Sequence, residues 1–441
     1  MKNVLFVSGL AGDTRRYRCL HHQEQLALHN IGSTLRTADE LALYADITTH
    51  DLVILHRVPA TPLILDLIEL AHLRGLAVVF ETDDLIFEPD LYGSIAYLDT
   101  LPPEAASRFR ASLHEQAKSF ALSDFVLTTT GYLAEAAARH SKTVFVQRNA
   151  CSAEMMEYAE AAYRRRNGEA GQVQRGDEVV IGYFSGTGSH NRDFQLATPA
   201  LLELLRRYPF LWLHVSGHLD LDSRFMAFHD RIRRAPYVDW RELPNLIAQV
   251  DINLAPLELD NPFCQAKSEI KYSEAALVGI PTVASPTEAF RSAITNGENG
   301  YLAEGDAGWL EALVRLVENP AERQRIGEAA RRHVYSDYTP LARSRQLVAT
   351  LHQIEQSYTP EHLAPGRLAE RLAQMMLRQL EQASAERAQQ ERQLEHLRQT
   401  IATWEAKPET TQQQFWRRSF EQAETAHHEA LRSILARLRA N

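Results

Sequence analysis

Short apolar runs alternate with longer stretches of helical periodicity along most of the chain. In the first part NVLFVS, DLVILHRV, LAVVFET, DFVLTTT and TVFVQRN read as strands. Between them CLHHQEQLALHN, PLILDLIELAHLRG and PEAASRFRASLHEQAKSFAL read as helices. Strands without polar alternation, joined by helices, form parallel sheets covered on both faces. The polar, glycine-containing stretch AEAAYRRRNGEAGQVQRGD interrupts this pattern, which restarts with VVIGYFSG, LWLHVSG, PYVDW, DINLAPL and PTVAS. The expected fold class is α/β, with two Rossmann-like doubly wound domains in series. The expected boundaries are a first domain over 1–158, a linker over 159–178, a second domain over 179–340 and a closing helix over 341–358.

Beyond Pro360 the strand pattern stops and Ala, Gln, Glu, Arg and Leu dominate, which favours helix. Spacing of three and four residues picks out Ala373, Met376, Leu380, Ala383, Arg387, Gln390, Leu394, Leu397, Ile401 and Trp404. That seam is apolar at its ends and polar in its middle, a weak coiled-coil pattern. A last helix with Phe415, Trp416, Phe420, Leu431, Ile434 and Leu438 needs a partner surface. The expectation is an all-helical, coiled-coil-like extension over 360–441 that packs on its own chain or self-associates into a homo-oligomer.

Composition narrows the function. With 441 residues, 45% of them hydrophobic, the chain can build two cores. A net charge of −10 argues against a general nucleic-acid or anionic-membrane surface. Three scattered cysteines, Cys19, Cys151 and Cys264, form neither a disulfide framework nor a metal motif. MKNVLFVSGL is too short for a signal segment and reads as a first strand. No apolar run is long enough for a transmembrane segment. A cytoplasmic location is the expectation, with peripheral attachment at the inner face of the membrane left open.

Two stretches carry candidate chemistry. In IGYFSGTGSHNRDF an apolar strand runs into a turn containing Gly186, Gly188 and His190, with Arg192 following. Glycines let a backbone approach a ligand closely, and the arginine fork suits phosphate oxygens. The stretch is neither a dinucleotide fingerprint nor a P-loop. In KSEIKYSEAALVGIPTVAS, helical geometry would put Lys267, Lys271 and Glu274 within roughly 60° of one another. An ordinary i,i+3 ion pair on a solvated face explains Lys271 and Glu274 equally well. If the two stretches share a sheet edge, the cations converge on a diphosphate and the carboxylate accepts from two vicinal ribose hydroxyls.

The run from IGYFSGTGSHNRD through DWRELPNLIAQVDINLAPL to KYSEAALVGIPTVASPTEAFRSAITNGENGYLAEGD resembles the C-terminal domain of GT-B glycosyltransferases, specifically family 4. Glu274 to Ala284 matches the late Glu-Ala-Met-Ala-x-Gly-x-Pro-Val-Val-Ala motif of that family, and Asn296 to Gly300 matches its Asn-Gly-x-x-Gly. The resemblance implies two lobes facing across a cleft, with a nucleoside-diphosphate-sugar donor in the second. It also implies Glu274 at the ribose, Arg192 and Lys271 at the diphosphate, and no metal or other cofactor. One departure stands out: many members carry a donor-sugar glutamate where this chain has Ala266.

The first domain would face the acceptor, a glycan, lipid-linked or other hydroxyl compound. Gly9 and Gly12 match a glycine-bearing loop that touches the donor in the superfamily, and Arg15, Arg16 and Arg18 follow it. His56-Arg57 ends a strand at the same edge. Asp83 and Asp84 follow another strand end, where acids act as a base or cap a turn. The expected function is retaining, metal-independent transfer of a sugar to a hydroxyl acceptor, in surface polysaccharide or glycoconjugate synthesis. The alternatives are a non-catalytic nucleotide- or glycan-binding scaffold that oligomerises through its tail, and a sugar-nucleotide epimerase.

Overall fold

The computed structural model describes residues 1–95, 98, 101–168, 177–186, 191–360 and 367–405. It divides into two compact units, Met1–Ala369 and Glu370–Asn441.

The first unit contains two six-stranded parallel sheets, each covered by helices. One has the order β2-β1-β3-β4-β5-β6, made of β1 (Asn3–Ser8), β2 (Gly32–Thr37), β3 (Leu52–His56), β4 (Val78–Thr82), β5 (Phe125–Thr128) and β6 (Thr143–Val146). The other has the order β12-β11-β10-β7-β8-β9, made of β7 (Val179–Ser185), β8 (Leu211–Gly217), β9 (Ile232–Ala235), β10 (Ile252–Ala255), β11 (Thr282–Ala284) and β12 (Tyr301–Leu302). The central strands β1, β3, β4 and β7 are almost wholly buried, which is why they read as continuous apolar runs.

Helix starts follow local chemistry. Thr61-Pro62, Asn319-Pro320 and Thr339-Pro340 each place a side-chain acceptor at the cap and a proline in the first turn. Gly279 ends the helix Ile270–Leu277 at φ 72°, with Ile280 N–H donating back to the Ala275 carbonyl. A side chain at Gly327, on the crossing helix Pro320–Asp337, would meet the Gly279 carbonyl oxygen at 2.1 Å, so the two backbones touch.

Three readings need correction. PYVDW is not a strand; the strand there is IRRA, Ile232–Ala235. The helix Ala153–Asn167 runs through the start of the expected linker. The short helix Pro262–Gln265 stops before Lys267, so Lys267 does not share a helix with Lys271 and Glu274.

The closing helix, Pro340–Ser357, buries Leu347, Leu351 and Ile354 against Val4, Phe6 and Ile54 of the first sheet. The chain thus ends its second domain by packing on the first. In the second unit the helical residues Met376 and Leu377, part of the helix Arg367–Glu405, are exposed. The helix expected over 415–438 lies outside the described residues. No described helix is long and apolar enough to cross a membrane.

Candidate functional site

Open parallel sheets bind ligands beyond the carboxyl ends of their strands, where the strand order reverses. Here β1 and β3 diverge in one sheet, and β7 and β10 in the other. The ends of both pairs face one cavity of ≈ 330 Å³. From the first lobe come Asp13, Thr14, Arg16 and Tyr17 after β1, Arg57 after β3, and Asp83 and Asp84 after β4. The second lobe contributes Gly186 after β7, the aromatic loop Tyr237 to Trp240, Lys267, and the helix residues Lys271 and Glu274.

Lys271 and Glu274 do not pair with each other. The Lys271 ammonium donates to the Phe184 carbonyl at the end of β7 and lies 5.1 Å from the centre of the Tyr183 ring. Burial pulls its pKa down, against the opposing pull of Glu274 and Asp193. Glu274 accepts a hydrogen bond from the Tyr17 hydroxyl at 2.7 Å, across the cleft. Burial pushes its pKa up, opposed by Tyr17, Arg16 and Lys271. A carboxylate and an ammonium one turn apart, each partly desolvated, are suited to a polar anionic ligand.

Also on the cavity wall, an ion cluster bridges the lobes. Arg57 Nη1 donates to Asp83 at 3.2 Å and lies 3.9 Å from Asp84, while Lys267 donates to Asp84 at 3.1 Å. Burial raises the Asp83 carboxyl, but Arg57, His56, Arg18 and Lys267 outweigh it and hold its pKa below the ordinary value. Arg57 adopts φ 48°, a left-handed conformation uncommon for a non-glycine residue and frequent at functional sites. Its carbonyl would clash with any side chain at position 9, so Gly9 is required by that close approach.

Arg18 corrects the sequence reading. It lies fully buried beneath the cleft, paired with Glu81 at 2.5 Å and donating to Asn149 at 2.9 Å. His56 is buried beside it, donating to or accepting from Ser8 at 3.0 Å. Burial drives Glu81 up to about 7 and His56 down to about 3. These groups support the strand ends and do not line the cavity.

Arg192 is exposed at the start of the helix Asn191–Gln195 and is outside the cavity lining, so its expected meeting with Lys271 is not seen. Gly12 is exposed, also off the lining, at φ 84° where the chain turns into the helix Asp13–Arg15. Gly188 and His190 lie outside the described residues. Ala266 is buried where the lobes touch, its carbonyl accepting from Thr130. Asn296 to Gly300 forms the turn that leads into β12 and is outside the cavity lining; Asn296 accepts from the Leu302 amide and buried Asn299 donates to the Ala293 carbonyl. The three cysteines are free and buried. Asp193, Glu258 and Cys264 cluster within 4.8 Å, yet Asp193 already accepts from the Glu258 amide and the Cys264 thiol.

Sequence reasoning missed Tyr17, Tyr237 and Trp240. The first sits among arginines, and the other two fall within PYVDW, whose apolar pattern reads as a strand. The signal at hand was RRYRC directly after a glycine loop.

A family model described as glycosyl transferase-like matches residues 197–349. Among solved structures, Anabaena HepE in complex with UDP is 15% identical, with 80% of this chain and 100% of that chain covered at TM-score 0.53. Sucrose-phosphate synthase from Thermosynechococcus elongatus is 14% identical, with 81% and 100% covered at TM-score 0.55. A glycosyltransferase from Rickettsia africae is 14% identical, with 81% and 99% covered at TM-score 0.50. No curated protein sequence matches. The fold is GT-B, as the sequence resemblance implied.

Proposed function

We propose that this GT-B chain, glycosyl transferase-like over 197–349, moves a sugar from a nucleoside-diphosphate donor to an acceptor hydroxyl. The observation that carries this reading is the convergence of Gly186, Lys267, Lys271 and Glu274 on one cavity between the lobes. Glu274 takes the ribose hydroxyls, and Lys271 stands near the diphosphate at the end of β7. Uridine is the favoured base, since UDP and UDP-glucose occupy HepE in the similar structures. The Trp240 and Tyr237 loop closes the base end.

Stabilising the departing diphosphate supplies most of the rate enhancement in such a site, and cations do this without a bound metal. Lys271 and Lys267 are the second-lobe cations at the cavity. Arg57, Asp83 and Asp84 face them from the first lobe and orient the donor sugar and the acceptor hydroxyl. Retention at the anomeric carbon and a role in surface-glycan synthesis follow from the resemblance alone. Attachment at the inner membrane face and association through 360–441 belong to the same proposal.

The test is release of nucleoside diphosphate from a panel of UDP-, GDP- and dTDP-sugars, with and without extract acceptors. Acceptor-dependent turnover of one donor supports transfer. Nucleotide binding with no turnover of any donor overturns it in favour of the scaffold reading, and an altered donor sugar without acceptor points to an epimerase.

A further inference from the structure

A carboxylate that grips two vicinal hydroxyls has to present its oxygens in a fixed direction, and Glu274 is held from the opposite lobe. Among the described residues its hydrogen-bond donor is Tyr17, whose hydroxyl lies 2.7 Å from Oε1. Tyr17 belongs to a π-helical turn, Arg16–Leu20, that buries Arg16, Tyr17, Arg18 and Cys19 in succession. Four consecutive residues of a regular α-helix would spread around roughly 300° of its surface. Such widened turns concentrate at functional sites.

The Tyr17 ring has little freedom. It is 4% exposed, and the Arg16 guanidinium sits 4.4 Å from its centre and 4.4 Å from that of Trp240 in the second lobe. The His21 ring packs against it edge to face, its centre 4.9 Å away. Two roles fit a hydroxyl so placed: it holds the place of a ribose hydroxyl and leaves when the donor arrives, or it stays and aims the carboxylate. Leaving strands a buried hydroxyl with no partner, a costly outcome. Staying costs little, because an ionised carboxylate offers about four acceptor sites, enough for Tyr17 and both ribose hydroxyls.

We propose that Tyr17 is a positioning residue for donor recognition, acting from the first lobe through Glu274 on the ribose bound in the second. Ribose recognition is then complete only when the two lobes are together. This inference rests on the reading of Glu274 as the ribose ligand.

The test measures binding of UDP and of 2′,3′-dideoxy-UDP to the full chain by calorimetry, in wild type and Tyr17→Phe. Wild type is expected to prefer UDP by about tenfold or more, and Tyr17→Phe to lose most of that preference through weaker UDP binding. Affinity for the dideoxy analogue is expected to stay within about twofold, which general damage to the site would not allow. A full preference retained in Tyr17→Phe overturns the inference and leaves the Glu274 reading intact. Tighter UDP binding in Tyr17→Phe overturns it in favour of displacement. A wild type that ignores the ribose hydroxyls, or UDP itself, overturns the Glu274 reading and this inference with it. Should Tyr17→Phe fold poorly, Tyr17→Leu and Glu274→Gln provide the check: each is expected to lose the ribose preference, and their combination to bind UDP no more weakly than Glu274→Gln alone. An additive loss overturns the proposal.

Discussion

The two walls of the cleft are built differently. The second-lobe wall takes its charged groups from one short segment, in which a helix and the turn before it supply Lys267, Lys271 and Glu274. The first-lobe wall is assembled from three strand ends far apart in the chain, and it stands on a buried ion pair, Arg18 with Glu81. The lesson is that the charged groups of one wall are set by local sequence and those of the other by tertiary structure. Substitutions are therefore expected to act differently on the two sides.

The largest contrast is in stability. Arg18→Ala leaves Glu81 buried without its cation and is expected to cost about 3–5 kcal/mol, read by urea unfolding. Glu274→Ala is expected to cost less, about 1–3 kcal/mol for the Tyr17 hydroxyl it leaves unpartnered, while weakening UDP binding by about 1.5–3 kcal/mol, the range for hydrogen bonds to a charged group. If Glu274→Ala proves the more destabilising of the two, the comparison fails.

Next comes Asp83→Asn. The first-lobe wall faces the acceptor in this account, so the change is expected to lower turnover by about a hundredfold with UDP affinity unaltered. Equal losses in binding and turnover would move Asp83 into the donor site.

Acid should act more on the first lobe than on the second. Burial lowers His21 to about 4 and His56 to about 3, and lowers His22 as well. Their folded values lie below the ordinary 6.5, so their neutral forms stabilise the fold above that pH. This contribution is lost as pH falls from about 6.5 toward 4. Glu81, raised to about 7, acts oppositely: its stability contribution is present below its ordinary 4.5 and lost as pH rises through 7. Burial raises Glu24 as well, so three histidines oppose two acids, and melting temperature is expected to fall between pH 6.5 and 4.5, with His56→Gln flattening that slope. A melting temperature that rises on acidification would contradict the assignment.

The smallest effect is expected at Arg192. It is exposed and off the cavity lining, so Arg192→Ala is expected to change UDP affinity by less than about 0.5 kcal/mol, well below the effect of Lys271→Ala. A larger loss would restore it to the diphosphate site.

Sequence legibility follows the same division. The buried central strands announced themselves because both their faces are covered. GSTLRT and IRRA escaped because edge strands carry polar, half-exposed residues that no apolar run marks. Glu274 and Lys271 were readable, since a glycine-capped helix followed by Gly-Ile-Pro sets their surroundings locally. Lys267 was found for the wrong reason: the chain breaks before the helix, and its ammonium reaches Asp84 of the other lobe. Tyr17 is not legible, because its partner lies 257 residues away and only the packing of the two lobes brings them together. Arg18 looked like a ligand-facing cation, but the π-helical turn carries it inward to Glu81.

The most direct test of the central claim is the melting temperature of the full chain with UDP, GDP, dTDP and inorganic phosphate at equal concentration, in wild type and Glu274→Ala. A ligand at a hundred times its Kd stabilises by about 2.7 kcal/mol. The account predicts that one nucleoside diphosphate, UDP first among them, raises the wild-type melting temperature by several degrees, that phosphate does not, and that Glu274→Ala loses most of the shift. No shift with any nucleotide, or the same shift in the variant, would contradict it.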